Sequence, residues 1–478
     1  MKKKIIYMMI AGWGLLTLSS CNDWLDVSPK EEVKVKENFT TESGFKEALT
    51  GVYLLMKSNS LYGRELTYGM ADVLAQQWGN MSSYDSHYQL SQYDYEATNS
   101  EEIIQNVWSE AYNAIANANV LIDYVDKAPE MLFTANNRAI IRGEAHALRA
   151  MLHFDLLRLF APAPTQGVDQ RGIPYVTRYG KDTTAFSTVG TCLERILEDL
   201  DIAASELKAD PVYEQRGDMA DDESYLQNRG YKLNYYAVRL LQARVNLYKG
   251  NLTEALEAAK EVIEQSHFTW TPDHEIYAEE DKRNRVFTEE LLFGLHTTNL
   301  SDNYDNDFTL EFLKGYWIWD ALFEITKTGY SGDYRYEYLS YFDMGKYARY
   351  STKLRQRTGN AAMTGFDETM PLLRLSEAYY IAAEAAFELS GNVADGVGYL
   401  NTVRTKRNII EELPTTLTTD EFREEIYKEY AKEFIAEGQL FFYFKRMNVS
   451  SIPNLPWDLE FTLDSYVLPI PSEEISNR

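Results

Sequence analysis

One stretch constrains this chain more than any other: Arg142 to Phe160, reading Arg-Gly-Glu-Ala-His-Ala-Leu-Arg-Ala-Met-Leu-His-Phe-Asp-Leu-Leu-Arg-Leu-Phe. Ile141, Ala145, Leu148, Leu152, Leu156 and Leu159 recur every three or four positions, which aligns them along one side of an α-helix. A second stripe of Arg142, His146, Arg149 and His153 follows the same spacing on another side. Gly143 admits a close helix neighbour at some cost in helix propensity. Ala161 precedes Pro162, which disfavours the α region for Ala161 and ends the helix there. A helix with this much apolar surface is expected to lie buried between others. Its cationic stripe is expected to pair with acids on a neighbour, Glu377 or Glu384 being candidates, because buried charges are normally paired.

Around this segment the pattern is mainly helical. Thr40 and Thr41 are N-cap candidates for a helix carrying Phe45, Leu49, Val52 and Tyr53. Ile103 to Val125 forms an αα-hairpin with the central helix. Cys192–Leu207, Lys232–Gln265, Leu372–Leu389, Val393–Arg407 and Thr419–Phe444 complete the helical readings. Leu247-Tyr248-Lys249-Gly250-Asn251-Leu252 is echoed by Phe387-Glu388-Leu389-Ser390-Gly391-Asn392-Val393. Each is a helix, a Gly-Asn turn and a second helix. Ala243, Ala255 and Ala259 fall where tetratricopeptide-like pairs need small residues. The fold class expected is therefore all-α, a tetratricopeptide-like helical-repeat scaffold with long irregular loop insertions. The insertions are an early one, 61–100, and an aromatic-rich one, 267–365, in which Tyr334, Tyr336 and Tyr338 alternate as on a short strand.

The first residues carry an address. Lys2, Lys3 and Lys4 precede an apolar run, Ile5 to Leu18, too short to span a bilayer comfortably. Leu18-Ser19-Ser20-Cys21 resembles the bacterial lipoprotein cleavage box. On this reading residues 1–20 are a signal peptide, Cys21 is acylated, 21–38 are the lipidated N-terminus and tether, and 39–478 form a single domain. Cys192 is then the one remaining thiol, and no intramolecular disulfide can form. The net charge of −26 argues against a nucleic-acid partner, since phosphates need a basic footprint.

The segment from Arg142 to Phe160 resembles the signature helix of the SusD/RagB family of outer-membrane nutrient-binding lipoproteins. So do Cys21-Asn22-Asp23-Trp24-Leu25, Arg374-Leu375-Ser376-Glu377-Ala378, Leu400-Asn401-Thr402-Val403-Arg404, Glu433-Phe434 with Glu437-Gly438, and Leu468-Pro469-Ile470-Pro471. Gln439-Leu440-Phe441-Phe442-Tyr443-Phe444 departs from the family pattern, which has an Arg and an aspartate there. The resemblance implies a lipid-anchored, cell-surface receptor at the outer membrane. Its partner would be a SusC-like TonB-dependent transporter, over which it acts as a lid. The ligand would be an oligosaccharide or a peptide; a surface protein-interaction scaffold with no small ligand is the alternative from another class.

No zinc-protease, phosphate-loop, dinucleotide or nucleophile-elbow motif is present, so no enzyme is expected and no cofactor beyond lipid on Cys21. Asp302, Asp305, Asn306 and Asp307 make an oxygen-rich loop, a weak calcium candidate without EF-hand spacing. Tyrosine is abundant at 35 residues, and an exposed ring matches the C–H face of a sugar. The family's ligand surface draws on an early loop and on mid-chain insertions. The matching positions are Trp78, Asn80, Tyr84 and Tyr88, and Tyr304, Tyr316, Trp317 and Trp319. Alternatively these rings staple the insertions to the scaffold.

Overall fold

The computed structural model describes residues 37–79, 81–180, 182–214, 224–309, 313, 316–325, 332–345, 348–356 and 367–476. The leader, Cys21 and most of the tether lie outside the described residues. The chain divides into two compact units, Met1–Glu47 and Ala48–Arg478. In the described part of the first, Thr41 Oγ1 accepts from the Gly44 amide at 3.2 Å, a helix N-cap, and Phe39 packs 4.9 Å from Phe45.

Ten longer helices carry the architecture: α1 (Glu42–Met56), α2 (Thr98–Lys127), α3 (Asn137–Phe160), α4 (Val189–Glu206), α5 (Tyr235–Lys249), α6 (Leu252–Gln265), α7 (Leu375–Ser390), α8 (Val393–Lys406), α9 (Thr419–Glu433) and α10 (Leu440–Arg446). Short helical turns carry no number. Helix α3 packs between α2 and α4 and is buried on every side from Gly143 to Phe160. A Cβ on Gly143 would lie 2.7 Å from Leu207 Cγ, so the close approach does require glycine. Ala161 turns to extended backbone (φ −131°, ψ 158°) before Pro162 and stops the helix.

The cationic stripe of α3 is paired, but not with Glu377 or Glu384. Arg142 meets Asp126 and Glu206; His146 and Arg149 share Asp199 at 2.8 and 2.5 Å. Glu377 holds Arg244 instead, and Glu384 holds Arg446. Antiparallel neighbours in the hairpin reach α3 before more distant helices do. His153 donates from Nδ1 to the Arg149 carbonyl and accepts the Val176 amide at Nε2. Burial pushes its imidazole down to about 3.

The two echoed segments form helix pairs. Gly250 (φ +90°) joins α5 to α6 and Gly391 (φ +69°) joins α7 to α8, both in the left-handed region that favours glycine. Helix α6 packs against both α5 and α7, so the pairs stack side by side. Gly396 lets α8 touch α7: a Cβ there would sit 2.4 Å from the Ala383 carbonyl oxygen.

Three antiparallel two-stranded ribbons complete the described structure: β1 (Arg171–Pro174) with β2 (Phe186–Thr188), β3 (Leu291–His296) with β6 (Thr369–Arg374), and β4 (Ser340–Asp343) with β5 (Ala348–Ser351). The β3–β6 pair is the neck of the mid-chain excursion. Met370–Arg374, read as helix from Leu372 onward, is a buried strand; a short apolar run cannot separate the two states by periodicity alone. Tyr334–Glu337, read as strand, is a helical turn capped by Asp333, whose carboxylate accepts the Arg335 amide. The reading of one helix over Thr419–Phe444 also changes. Ala436 (φ +66°) and Gly438 (φ +70°) break it into α9 and α10.

That break is held by buried charge. Glu433 at the end of α9 meets Arg374, Arg407 and Arg335 at 2.5, 2.7 and 3.0 Å. Arg374 also meets Glu437 at 2.7 Å, Arg407 meets Glu290 at 2.6 Å, and Arg335 meets Glu429 at 2.8 Å. The surrounding arginines hold the Glu433 carboxyl far below the usual range and Glu429 at about 2, against the burial that would raise them.

Four outcomes follow from these contacts. Gly396→Ala should lower unfolding free energy in urea by about 1–3 kcal/mol, the usual cost of overpacking. Carboxylates with depressed pKa stabilise the fold above their unfolded value near 4.5 and lose that contribution as pH falls toward 2. Acid titration followed by circular dichroism should therefore unfold the protein in that window. Glu433→Gln should weaken it at pH 7 by about 3–5 kcal/mol, because three buried arginines each lose one carboxylate partner. His153, neutral when folded to about pH 3 and titrating near 6.5 when unfolded, adds a loss of roughly 1.4 kcal/mol per pH unit as pH drops between those values. His153→Gln should flatten that part of the urea-midpoint profile.

Candidate functional site

The early segment from Lys57 to Ala97 has little regular structure, yet its first half is buried. Its short helix Met70–Leu74 places Asp72 beneath the break between α9 and α10. There the carboxylate accepts from the Ala436 and Gly438 amides at 2.8 and 3.0 Å. Burial raises the Asp72 pKa all the same. Gly438 is needed a second time here, since a Cβ would lie 2.4 Å from the Leu66 carbonyl oxygen. Glu65 accepts from His87 Nε2 at 2.8 Å, from Arg64 at 2.8 Å and from the Met70 amide at 2.9 Å. The His87 ring beside it, with Arg64, draws its carboxyl down to about 2 against burial. The loop is thus a built structure stapled to the scaffold.

This arrangement places the expected ligand residues in different settings. Trp78 is 3% exposed, donates Nε1–H to the Tyr68 carbonyl, and packs edge-on against Phe308 at 5.5 Å. Trp319 is 1% exposed and lies 6.2 Å from Trp78. Tyr304 stacks on Phe308 at 4.9 Å and donates its hydroxyl to the Ser351 carbonyl. These three rings staple the mid-chain excursion to the early segment and present no face to solvent. Tyr84 does the opposite: it is 97% exposed at the tip of a turn in which Asp85 accepts the Ser82 amide at 2.6 Å. Tyr88 is half-buried at the start of a short helix. Tyr316 and Trp317 begin the short helix Tyr316–Leu322, their side chains outside the described residues, as is all of Asn80.

The oxygen-rich loop does not converge as a cation site. Asp302, Asp305 and Asn306 face solvent, whereas Asp307 is buried with Arg64 3.9 Å away, and burial raises its carboxyl. Among the described residues no three His, Cys, Asp or Glu side chains are grouped to hold a metal ion. Asp302 lies in the helical turn Leu300–Tyr304, and Asp305 to Asp307 lie in the π-helical turn that follows.

What the fold does assemble is an open cleft of about 260 Å³. Ala75, Gln76 and Gln77 of the early segment form one wall, Ala321 and Leu322 a second, and Glu424, Tyr427, Lys428 and Ala431 of α9 a third. Leu440 and Phe444 of α10 close the base, with Pro453 and Asn454 at the rim. Gln76 adopts φ +55° and donates to the Ser91 carbonyl at 2.8 Å; Gln77 donates to Ala431 at 3.4 Å. Tyr427 is half-buried, its ring 5.6 Å from Phe444, and burial pushes its phenol up to about 12. Lys428 is neutralised by Glu425 at 2.8 Å and Glu324 at 3.2 Å. The cleft therefore combines apolar walls with fixed amide, hydroxyl and carboxylate groups. Such a lining recognises a polar ligand with apolar faces. Sequence reasoning reached the cleft's neighbourhood through Trp78 and Trp319 but missed Gln76, Gln77, Tyr427 and Asn454. Only the αL conformations of Gln76 and Asn454, which no local pattern announces, bring them into place.

Comparison with known proteins matches two stretches of the chain. A family profile described as "Starch-binding associating with outer membrane" matches residues 23–219, and the profile of the SusD family matches residues 294–478. The chain belongs to the SusD/RagB family. SusD-like protein P2 of Formosa agariphila is 23% identical over 99% of this chain and 97% of its own length. SusD-like protein P25 of the same organism is 22% identical over 61% of this chain, a match that spans about half (51%) of that protein. Among solved structures, a putative sugar binding protein from Bacteroides vulgatus is 26% identical, covers 92% of this chain and 97% of its own, and has a TM-score of 0.72. Surface glycan-binding protein A from Bacteroides thetaiotaomicron, in complex with laminarihexaose, is 18% identical with a TM-score of 0.68, covering 91% and 98%. As a member of this family the protein has its place at the outer membrane, facing outward. The tetratricopeptide-like helix pairs are those of the SusD-type fold.

His87→Ala should lower stability and free the Tyr84 turn. Proteolysis between Ser82 and Asp94 should then speed up several-fold while the α-helical circular dichroism is kept.

Proposed function

We propose that this protein is a cell-surface glycan-binding receptor that captures oligosaccharide in the cleft between Gln76, Tyr427 and Asn454. In this reading it passes the ligand to a SusC-like TonB-dependent transporter, over which it acts as a lid. Acylated Cys21 is the mooring. The observation that carries the reading is the cleft itself: an aromatic wall with fixed amide and carboxylate groups, held on a scaffold whose family includes a glycan-bound structure. A sugar ring offers apolar C–H faces and equatorial hydroxyls, and the cleft supplies a partner for each. Binding alone does the work. Holding ligand at the surface raises its concentration at the pore, and closure of the lid commits it.

Calorimetry against neutral oligosaccharides and a matched peptide panel tests the ligand class. Oligosaccharide binding that weakens about tenfold or more in Tyr427→Ala, with unfolding unchanged, supports the cleft; tight peptide binding with no sugar binding overturns it. Replacing Cys21 by Ala in the full chain should release the protein from the membrane fraction and abolish metabolic labelling with radioactive palmitate. Affinity capture from the parent cells should recover a large outer-membrane β-barrel protein.

A further inference from the structure

Trp457 is 96% exposed. It occupies the second position of a turn in which the Leu459 amide donates to the Pro456 carbonyl at 3.1 Å. An indole at such a tip gains nothing from the fold. Beside it Asn454, Asp458 and Glu460 are exposed and polar, Pro453 is exposed, and Leu455, Pro456 and Leu459 are half-buried, so the tip is a mixed surface and not a broad apolar patch of the kind a protein interface needs. It lies three positions after Asn454 on the cleft rim, which limits the distance between their Cα atoms to about 11 Å.

The loop bearing Trp457 is anchored on both flanks. Ile452 is buried before it, and Phe461 after it packs 4.9 Å from Tyr93 and 5.0 Å from Tyr466. Tyr466 donates its hydroxyl to the Val449 carbonyl, which closes the base of the loop. Tyr93 donates to the Leu74 carbonyl at 2.7 Å and accepts from Gln76 Nε2 at 3.3 Å. The loop is therefore fixed to the same side chain that forms the cleft wall. A backbone anchored in this way lowers the ordering cost of binding at its tip.

We propose that Trp457 is a stacking platform that extends the cleft, and that the extended site takes an uncharged oligosaccharide longer than the cleft alone can hold. Neutrality follows from the rim. Glu424, Asp458 and Glu460 are exposed carboxylates, Lys428 is already paired, and the whole chain carries −26, so uronate-bearing polymers are repelled. Asp458 and Glu460, exposed within three positions of the indole, are carboxylates that can accept hydroxyl protons from a sugar. This inference rests on the oligosaccharide reading and adds to it a length requirement and a charge class.

The test uses the mature full chain and length series, from disaccharide to octasaccharide, of malto-, laminari-, xylo- and cello-oligosaccharides, with oligogalacturonides as the acidic comparison. Affinity should rise at least tenfold between short and long members of one neutral series. Trp457→Ala should abolish that rise while leaving short-oligomer affinity as it was, and Trp457→Phe should restore part of it. Long oligomers should also shift tryptophan emission to the blue in the parent and not in Trp457→Ala. If the parent binds but its length dependence is absent, or survives in Trp457→Ala, the platform is overturned and the cleft stands. Tighter binding of the acidic series overturns the charge class. If no oligosaccharide binds the parent, the oligosaccharide reading falls, and the platform with it.

Discussion

The structure depends on a set of buried ion pairs gathered at the end of α9. Glu429, Glu433 and Glu437 meet Arg335, Arg374, Arg407 and Lys353, groups from the mid-chain excursion, from β6 and from the end of α8. Removing charges from water is costly, and an ion pair recovers that cost only when geometry is good and the remaining polar atoms are satisfied. Here each arginine meets at least two acids. Such a network stabilises less than its distances suggest, but it tolerates few other arrangements. It fixes where the second helix pair, the excursion and the C-terminal helices meet.

The break between α9 and α10 lies inside that network. Ala436 and Gly438 take left-handed angles that end the helix, and the ion pairs of Glu433 and Glu437 on either side of Ala436 hold the chain there. Asp72 satisfies the amides this exposes. One carboxylate thereby ties the early segment to the C-terminal helices, beside the Gln77–Ala431 hydrogen bond that joins two cleft walls. The site is a by-product of how buried charge is accommodated.

Much of the fold was legible in advance. The α3 helix, its stop at Ala161, the Gly-Asn turns at Gly250 and Gly391, and the αα-hairpin follow from periodicity and glycine chemistry that act within a few residues. Where reading and structure part, the deciding forces are non-local. Met370–Arg374 is a strand because β3 lies beside it, and Tyr334–Glu337 is a helical turn because Asp333 and buried acids hold Arg335. The cationic stripe of α3 found acids, but Asp199 rather than Glu377, because partner choice is set by packing order. Among the expected ligand rings the division is sharp. Trp78, Trp319 and Tyr304 are engaged in packing while Tyr84 stands in solvent, and composition treats them alike.

Sequence alone determined the helical-repeat scaffold and the family, since both reside in local periodicity and in motifs that keep their order along the chain. The expectation of a leader ending at Cys21 likewise rests on sequence alone. Tertiary structure decided which aromatic rings are buried, which acids serve which arginines, and that Gln76, Tyr427 and Asn454 share a cleft. Those outcomes depend on residues hundreds of positions apart competing for the same space and the same charge, and no window of sequence contains both competitors.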